Sequence, residues 1–442
     1  MKRFLKKIFN LTNLFGTITV FAVMGILGSI GVQFDFLNVF EQVLSDYELT
    51  DIYYTKFRQN DQVPSDTNIV LVNIGKLSRE EIAREIEILN KYNPAVIGID
   101  AFFSYPKPDN PHGDTALAMA VKNAKNFVMV SKVEGYNEET GLWDTLIKSY
   151  SLISDFAHTG FANTISDEEG GNFVTWRNVP VKEKLKNGHE EVCFAAKIME
   201  FYRPEKAKKF LARGNEVETI YFKGNLDKYT KLDIEDVFNE TFEPSVIEGK
   251  IVLMGYMGSG YEDYFWDEDK FFTPLNEKSV GRGYPDMFGV VVHANILSMM
   301  LEETYIDVMD ETYSNVIAVV ACYFNVAIFL SILQSERWGL WYNLLSKFIQ
   351  LLQTIGIFTI NFFAFAWYRQ KIDLTLTTFA VLLSGDLAEI YVDVILTSVK
   401  KIFSSYFGKP EISMERKEDV QIYQYSAPAL EASTEREKNV QN

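Results

Sequence analysis

The chain has 442 residues, 47% hydrophobic, 14% aromatic and 23% charged, with a formal net charge of −17 at pH 7 and two cysteines. So acidic a balance argues against a surface built for nucleic acid or an anionic lipid face, and it leaves cations, a basic partner or plain solvation as what the acidity serves. Two cysteines exclude a disulfide scaffold, and an exported domain of this length buries an adequate core without covalent staples.

In chain order, residues 1–10 form a basic N-terminus carrying Lys2, Arg3, Lys6 and Lys7. Residues 11–32 follow as an apolar run, Leu11 to Val32, with 22 residues and no charge. At 1.5 Å per residue that run crosses a hydrocarbon core of about 30 Å. Flanking positive charge is retained inside, which places the N-terminus in the cytoplasm and the next segment outside. A cleaved signal peptide also begins with basic residues, but the run is long for its apolar region and no A-x-A-like site follows. Residues 33–312 then hold 48 acidic and 28 basic side chains, so the chain's acidity belongs to this external domain. Its first part, 33–68, reads as a polar connector with helical stretches.

Within the domain, short apolar runs alternate with helical patterns. Ile69 to Ile74 reads as a buried strand. Arg79 to Lys91 carries Ile82, Ile86 and Leu89 at helical spacing, and Ser78 with Glu81 predicts a capping box at its start. Ala95 to Ile99 is a second strand, running parallel to the first across a βαβ unit. Thr115 to Asn123 is helical and Phe127 to Val133 strand-like. Glu134 to Val192, rich in Gly, Asn, Thr and charge, reads as an irregular or hairpin-bearing insertion that includes Phe173 to Trp176. Cys193 to Tyr202 is a helix, Glu218 to Phe222 and Ile251 to Gly255 are strands, and His293 to Leu301 is a helix. The alternation predicts an α/β fold with a largely parallel central sheet.

Residues 313–396 hold three further spans, Tyr313 to Leu333, Lys347 to Trp367 and Leu374 to Leu396, making four transmembrane helices in all. Cys322 falls inside one of them, so it cannot pair with Cys193 of the external domain. Lys400, Lys401, Lys409, Arg416 and Lys417 place the C-terminus in the cytoplasm, while Arg369 and Lys371 argue weakly the other way. Residues 397–442 read as a mostly disordered cytoplasmic tail. The last span contains Asp386, Glu389 and Asp393 at i, i+3 and i+7, an acidic stripe on one helical face. Such residues face protein or water and have partners. Asn325, Gln353 and Asn361 of neighbouring spans, or basic residues of another subunit, are the candidates. Alternatively Glu389 and Asp393 reach the cytoplasmic interface and only Asp386 is buried.

The runs around IVLVNIGKLSREEIAREIEILNKYNPAVIGIDAFF, then GKIVLMGYMGSGYEDYFWD with Thr273-Pro274, then GVVVHANILSMML leading into three spans, resemble the type-2 CHASE domain. The matching pieces are Gly98-Ile-Asp100 with Phe103, the Gly249-Lys250 strand start, Asp263, Thr273-Pro274 and Gly289 through His293-Ala-Asn295. The resemblance covers about residues 35–400, including the one-plus-three arrangement of spans. It implies an extracytoplasmic sensory module in a bacterial cytoplasmic (inner) membrane, of a family associated with cyclases and histidine kinases. No kinase, cyclase or phosphatase pattern occupies the roughly 46 residues after Leu396, so a signal would pass to a separate protein partner or a homo-oligomer. A structural or accessory subunit of a larger cell-envelope complex is the alternative. An ion- or proton-conducting role for the acidic stripe is a third.

Candidate chemistry gathers at one mouth. Asp100 lies just beyond a predicted parallel strand, at the carboxyl edge where α/β domains place ligands, and Asp263 follows the Ile251 to Gly255 strand by a Gly-rich turn. Both are candidate ligand-binding residues, with a cap or loop-anchor role as the other reading. His293, at the start of the last domain helix, is a third candidate or else a structural hydrogen-bonding residue. Asp263, Asp267, Glu268 and Asp269 form an acidic cluster in which Asp263, Asp267 and Asp269 are weak metal candidates, without the EF-hand pattern. The spacing GYMGSG is neither a P-loop nor a dinucleotide fingerprint. The four histidines form no metal-spaced pair, and no nucleophile elbow stands out. The sequence therefore predicts no enzyme and no cofactor.

Overall fold

A computed structural model describes residues 9–29, 48–163, 175–258, 269–276, 284–399 and 401–402. The N-terminal basic residues Lys2 to Lys7, Phe173, Asp263, Asp267, Glu268 and the expected tail from 403 onward lie outside the described residues. The chain divides into two compact units, one formed by 1–32, 310–359 and 373–442, the other by 33–309 together with 360–372.

The larger unit is a three-layer α/β domain. Its strands and helices, in chain order, are β1 (Asp66–Asn73), α2 (Arg79–Lys91), β2 (Val96–Asp100), α3 (Pro111–Asn123), β3 (Phe127–Asn137), β4 (Leu142–Ile147), β5 (His158–Phe161), α4 (Phe194–Tyr202), α5 (Pro204–Leu211), β6 (Tyr229–Leu232), β7 (Ile251–Gly255) and α6 (Gly289–Glu302); α1 (Leu11–Ser29) belongs to the other unit. The sheet order is β6–β1–β7–β2–β3, all parallel, with β5 parallel to the first half of β3 and β4 antiparallel to its second half. β1 and β2 are thus parallel, as expected, but β7 lies between them. Both faces of the sheet are covered. Val70, Val72, Ile97, Ile99, Val252 and Met254 pack with Ile82, Ile86 and Leu89 of α2 and Leu117 and Val121 of α3. Ile69, Leu71, Val128, Val130, Ile251 and Leu253 pack with Phe194 and Ile198 of α4 and Val291, Ala294 and Leu297 of α6. That double burial is why these strands read as unbroken apolar runs.

Local chemistry supports each element. Ser78 accepts a hydrogen bond from the Glu81 N–H, and Glu81 accepts from the Ser78 N–H, the predicted capping box. Asn110 caps α3, which opens on Pro111. The expected insertion contains β4, β5 and a short ladder of Lys182–Lys184 with Glu190–Val192. Of the expected strand Glu218 to Phe222 only the start is one: Val217–Thr219 pairs with Asn178–Pro180 in a two-stranded sheet separate from the central one.

The smaller unit contains α1, α7 (Glu311–Leu333), the first part of α8 (Tyr342–Tyr368) and α9 (Thr375–Ile390). Three helices, Leu11–Ser29, Glu311–Leu333 and Gly339–Tyr368, are long and apolar enough to cross a membrane. The fourth expected span is not among them: its α-helix has 16 residues and carries Asp386 and Glu389, and it passes into a π-helical turn, Tyr391–Leu396, that carries Asp393. The acidic stripe also differs from expectation. Asp386 is not buried but pairs with Lys347 of α8 at 2.6 Å, both side chains more than half exposed. Asn325 and Gln353 instead bond to each other at 2.6 Å, and Asn325 donates to Ser384. Glu389 is half-buried and Asp393 exposed.

Two outcomes follow. A Cβ at Gly160 would stand 2.7 Å from the Phe194 Cα, a backbone atom that cannot swing aside. Gly160→Ala should therefore destabilise the domain by about 1–3 kcal/mol, read as a lowered unfolding midpoint. In the smaller unit, Lys347→Asp and Asp386→Lys should each reduce the yield of folded protein recovered from membranes, and the double exchange should restore it. Equal yields for all three variants would show the pair to be idle.

Candidate functional site

The carboxyl edge of the sheet is set by register. Asn73 of β1, Gly255 of β7 and Asp100 of β2 lie side by side, the last paired residues of their strands. Glycine at 255 lets α6 come close, since a Cβ there would stand 2.6 Å from that of Val290. Gly289, the first residue of α6, donates its N–H to the Asp269 carbonyl at 3.1 Å. A Cβ at Gly289 would crowd the Asp269 carboxylate at 3.2 Å. Asp269 itself has φ +67°, a left-handed conformation that Asp tolerates better than most residues and that is met at functional sites.

This packing brings His293 of α6 to Asp100. Their Nε2 and Oδ2 atoms are 3.8 Å apart, with side-chain exposures of 5% and 18%. Two of the three predicted ligand residues are therefore together, and the third, Asp263, is outside the described residues. Of the weak metal candidates, Asp269 joins this cluster; Asp267, like Asp263, is outside. Among the described residues no group of three or more His, Cys, Asp or Glu is placed to hold a metal ion.

Electrostatics of the cluster follow from lost solvation. Burial pushes Asp100 up to about 6, with no opposing cation or donor. For Asp269, lost solvation and then the Asp100 charge raise the pKa; its exposed surface tempers the amount. Burial lowers His293 to about 4, so its ring is neutral at pH 7.

Several contributing residues have no sequence signature. Asn73 donates to Asp233 and to the Gly258 carbonyl, both at 3.0 Å, and accepts from the N–H groups of Gly75 and Met257, which holds the loops after β1 and β7. Trp176 packs its ring 5.8 Å from that of His293 and 4.8 Å from Phe271, and Phe194 lies 5.1 Å from His293 on another side. Beside Trp176, Arg177 donates to Asp51 at 2.5 Å in a buried ion pair and reaches Glu48 at 3.9 Å. Glu48 in turn pairs with Lys371 at 2.8 Å. Burial opposes ionisation of Glu48, but Lys371 and Arg177 outweigh it and hold its pKa below the usual value. Thr273 and Asn295, which the family resemblance singled out, are anchors. Thr273 donates from Oγ1 to Asp286 at 2.6 Å, and Asn295 accepts from the N–H groups of Lys223 and Gly224.

The family model of the CHASE2 domain matches residues 19–333. No curated protein and no solved structure matches the chain.

The Asp100 carboxyl has a pH signature. Below about pH 4 it is protonated folded or unfolded and contributes no difference. Between about 4 and 6 the folded chain keeps a proton that the unfolded chain has lost, so rising pH favours unfolding. Above that window the cost is constant. Asp100→Asn should therefore gain stability relative to wild type at pH 8 over pH 4, by on the order of 2 kcal/mol. His293 acts with opposite sign, adding stability as pH rises from about 4 to its ordinary value near 6.5. Unfolding midpoints of both proteins across pH 4 to 8 test this, and parallel curves would contradict it.

Proposed function

The chain belongs to the CHASE2 domain family, a family of sensory extracellular domains, and we propose that its stimulus is received at the Asp100–Asp269–His293 edge and delivered to the α8–α9 turn. The observation that carries this is the compact unit itself, which includes residues 360–372. Phe365 is buried in the domain core, edge-on to Tyr53 at 5.2 Å and Tyr54 at 6.1 Å, and Phe362 packs on Phe57 at 5.0 Å. Residues Gln370–Lys371 pair in parallel with Asp307–Val308, just before α7. A contact chain His293, Trp176, Arg177, Asp51 and Glu48, Lys371 links the edge to that turn.

The mechanism rests on burial. An ion pair as enclosed as Arg177–Asp51 tolerates little displacement, because separating its partners leaves an uncompensated charge. Movement of Trp176 at the edge is thus passed along the backbone to Arg177 and on to Lys371. In this reading the chain spans a bacterial inner membrane four times with both termini in the cytoplasm. It is a receiver and not an enzyme, and it hands the change to a partner chain or a second copy of itself.

Neutralising the edge imitates occupancy and so tests the route without the natural stimulus. Spin labels at Tyr313→Cys and Tyr368→Cys report on the starts and ends of the adjoining helices. Asp100→Asn with Asp269→Asn should shift the measured distance distribution, and Arg177→Gln in the same background should remove the shift. An unchanged distribution on neutralisation would sink the proposal.

A further inference from the structure

The edge's chemistry also specifies the charge of what it receives, an inference that rests on the reading just given of that site. Several of the domain's buried carboxylates are answered, although both oxygens of the buried Glu85 of α2 are not. Asp114 faces Arg79, Asp51 faces Arg177, and Asp66 accepts from Ser298 at 2.7 Å with Lys223 Nζ at 3.5 Å. Asp100, largely buried, and Asp269, which keeps an exposed surface, are not. Among the described residues neither carboxylate accepts a hydrogen bond or lies within ion-pair distance of a Lys or Arg. The group facing Asp100 is His293, more than nine-tenths buried, with no hydrogen-bond partner for its ring among the described residues and with Nε2 directed at that carboxylate. A buried polar ring and two uncompensated carboxylates converging on one edge form a site that a cation completes.

The walls narrow the class. Trp176 and Phe271 meet at 4.8 Å, and Phe271 lies against Gly289 beside the Asp269 carboxylate. Aromatic faces next to carboxylates suit an organic cation, whose charge gains from the ring quadrupole and whose apolar part is buried. A small divalent metal fits less well. It needs several ligands at about 2.0–2.6 Å, and His293 and Asp100 at 3.8 Å are widely spaced to share one. The acidic domain surface adds a field that draws cations inward.

We propose that the Asp100–Asp269–His293 edge binds a protonated amine, its ammonium group between the two carboxylates and its organic part against Trp176 and Phe271.

The test uses the full chain in nanodiscs and four probes, methylammonium, tetramethylammonium, benzylammonium and 1,4-diaminobutane, with benzyl alcohol as the neutral isostere and Ca²⁺ as the metal arm. Saturable binding of at least one ammonium probe is expected in calorimetry. It should weaken at least roughly tenfold in Asp100→Asn and in Asp269→Asn, as loss of a charge-assisted contact implies. Glu134→Gln, an exposed acid on β3, should leave it unchanged. Unfolding midpoints establish that each variant is folded. Silence of all four probes, equal binding of benzyl alcohol, or binding of Ca²⁺ alone would each overturn the assignment. If an amine binds but the Tyr313–Tyr368 label distances stay fixed, the site stands and the signalling reading fails. If neutralisation moves those distances while no amine binds, the converse holds.

Discussion

How closely α6 can approach the end of β7 determines what the rest of the domain can do. Gly255 has no Cβ where Val290 packs, and Gly289 has none where Asp269 turns back over the helix start. Remove that closeness and His293 no longer reaches Asp100, and Asn295 loses the backbone of 223–224. The two residues lie two positions apart, about 200° around the helix, so one helix seats the edge on one face and clamps a distant segment on the other. A sheet buried on both faces has no other place to present ionisable groups together. Its carboxyl edge is where strands end, loops begin and unpaired polarity is tolerated.

The parts legible in the sequence are those governed by local physics. The unbroken apolar runs of β1 and β7 announced a doubly covered sheet, and the Ser78–Glu81 box announced the start of α2. The place of Asp100 at the carboxyl end of a buried strand was legible from the apolar run that precedes it. What local patterns do not contain is order and distance. Nothing in the periodicity of 69–74 and 95–99 says that 251–255 lies between them, because strand neighbours are chosen by long-range packing. Tyr229–Leu232 is too short to show a period. Asp269 was grouped with its sequence neighbours, while its partner in space is 169 positions away. Lys347 escaped as the partner of Asp386 because it sits on another helix, at a position that reads as the start of a span.

The link between the edge and the helices is likewise a matter of placement. Arg177 has no motif around it, yet it sits beside the tryptophan that touches His293 and holds the segment at Glu48 and Asp51. That segment, through Lys371, is joined to the turn before α9. Aromatic packing of Phe365 and Phe362 against Tyr53, Tyr54 and Phe57 makes the end of α8 part of the domain core. Inside the same compact unit, the segment before α7 and the segment after α8 meet in the short parallel ladder of Asp307–Val308 with Gln370–Lys371.

Energetics set Asp100 apart from the paired acids of the same domain. Arg177–Asp51 and Arg79–Asp114 each pair the charges they bury, although the buried Arg79 Nε has no hydrogen-bond partner among the described residues. Asp100 costs stability at neutral pH, and an asparagine there would keep the shape without the charge. Asp100 stands beside a second carboxylate, a neutral histidine and the left-handed backbone of Asp269. Ionisable groups gathered at one rim, on the helix that also anchors a distant segment of the core, are what the proposed binding edge rests on.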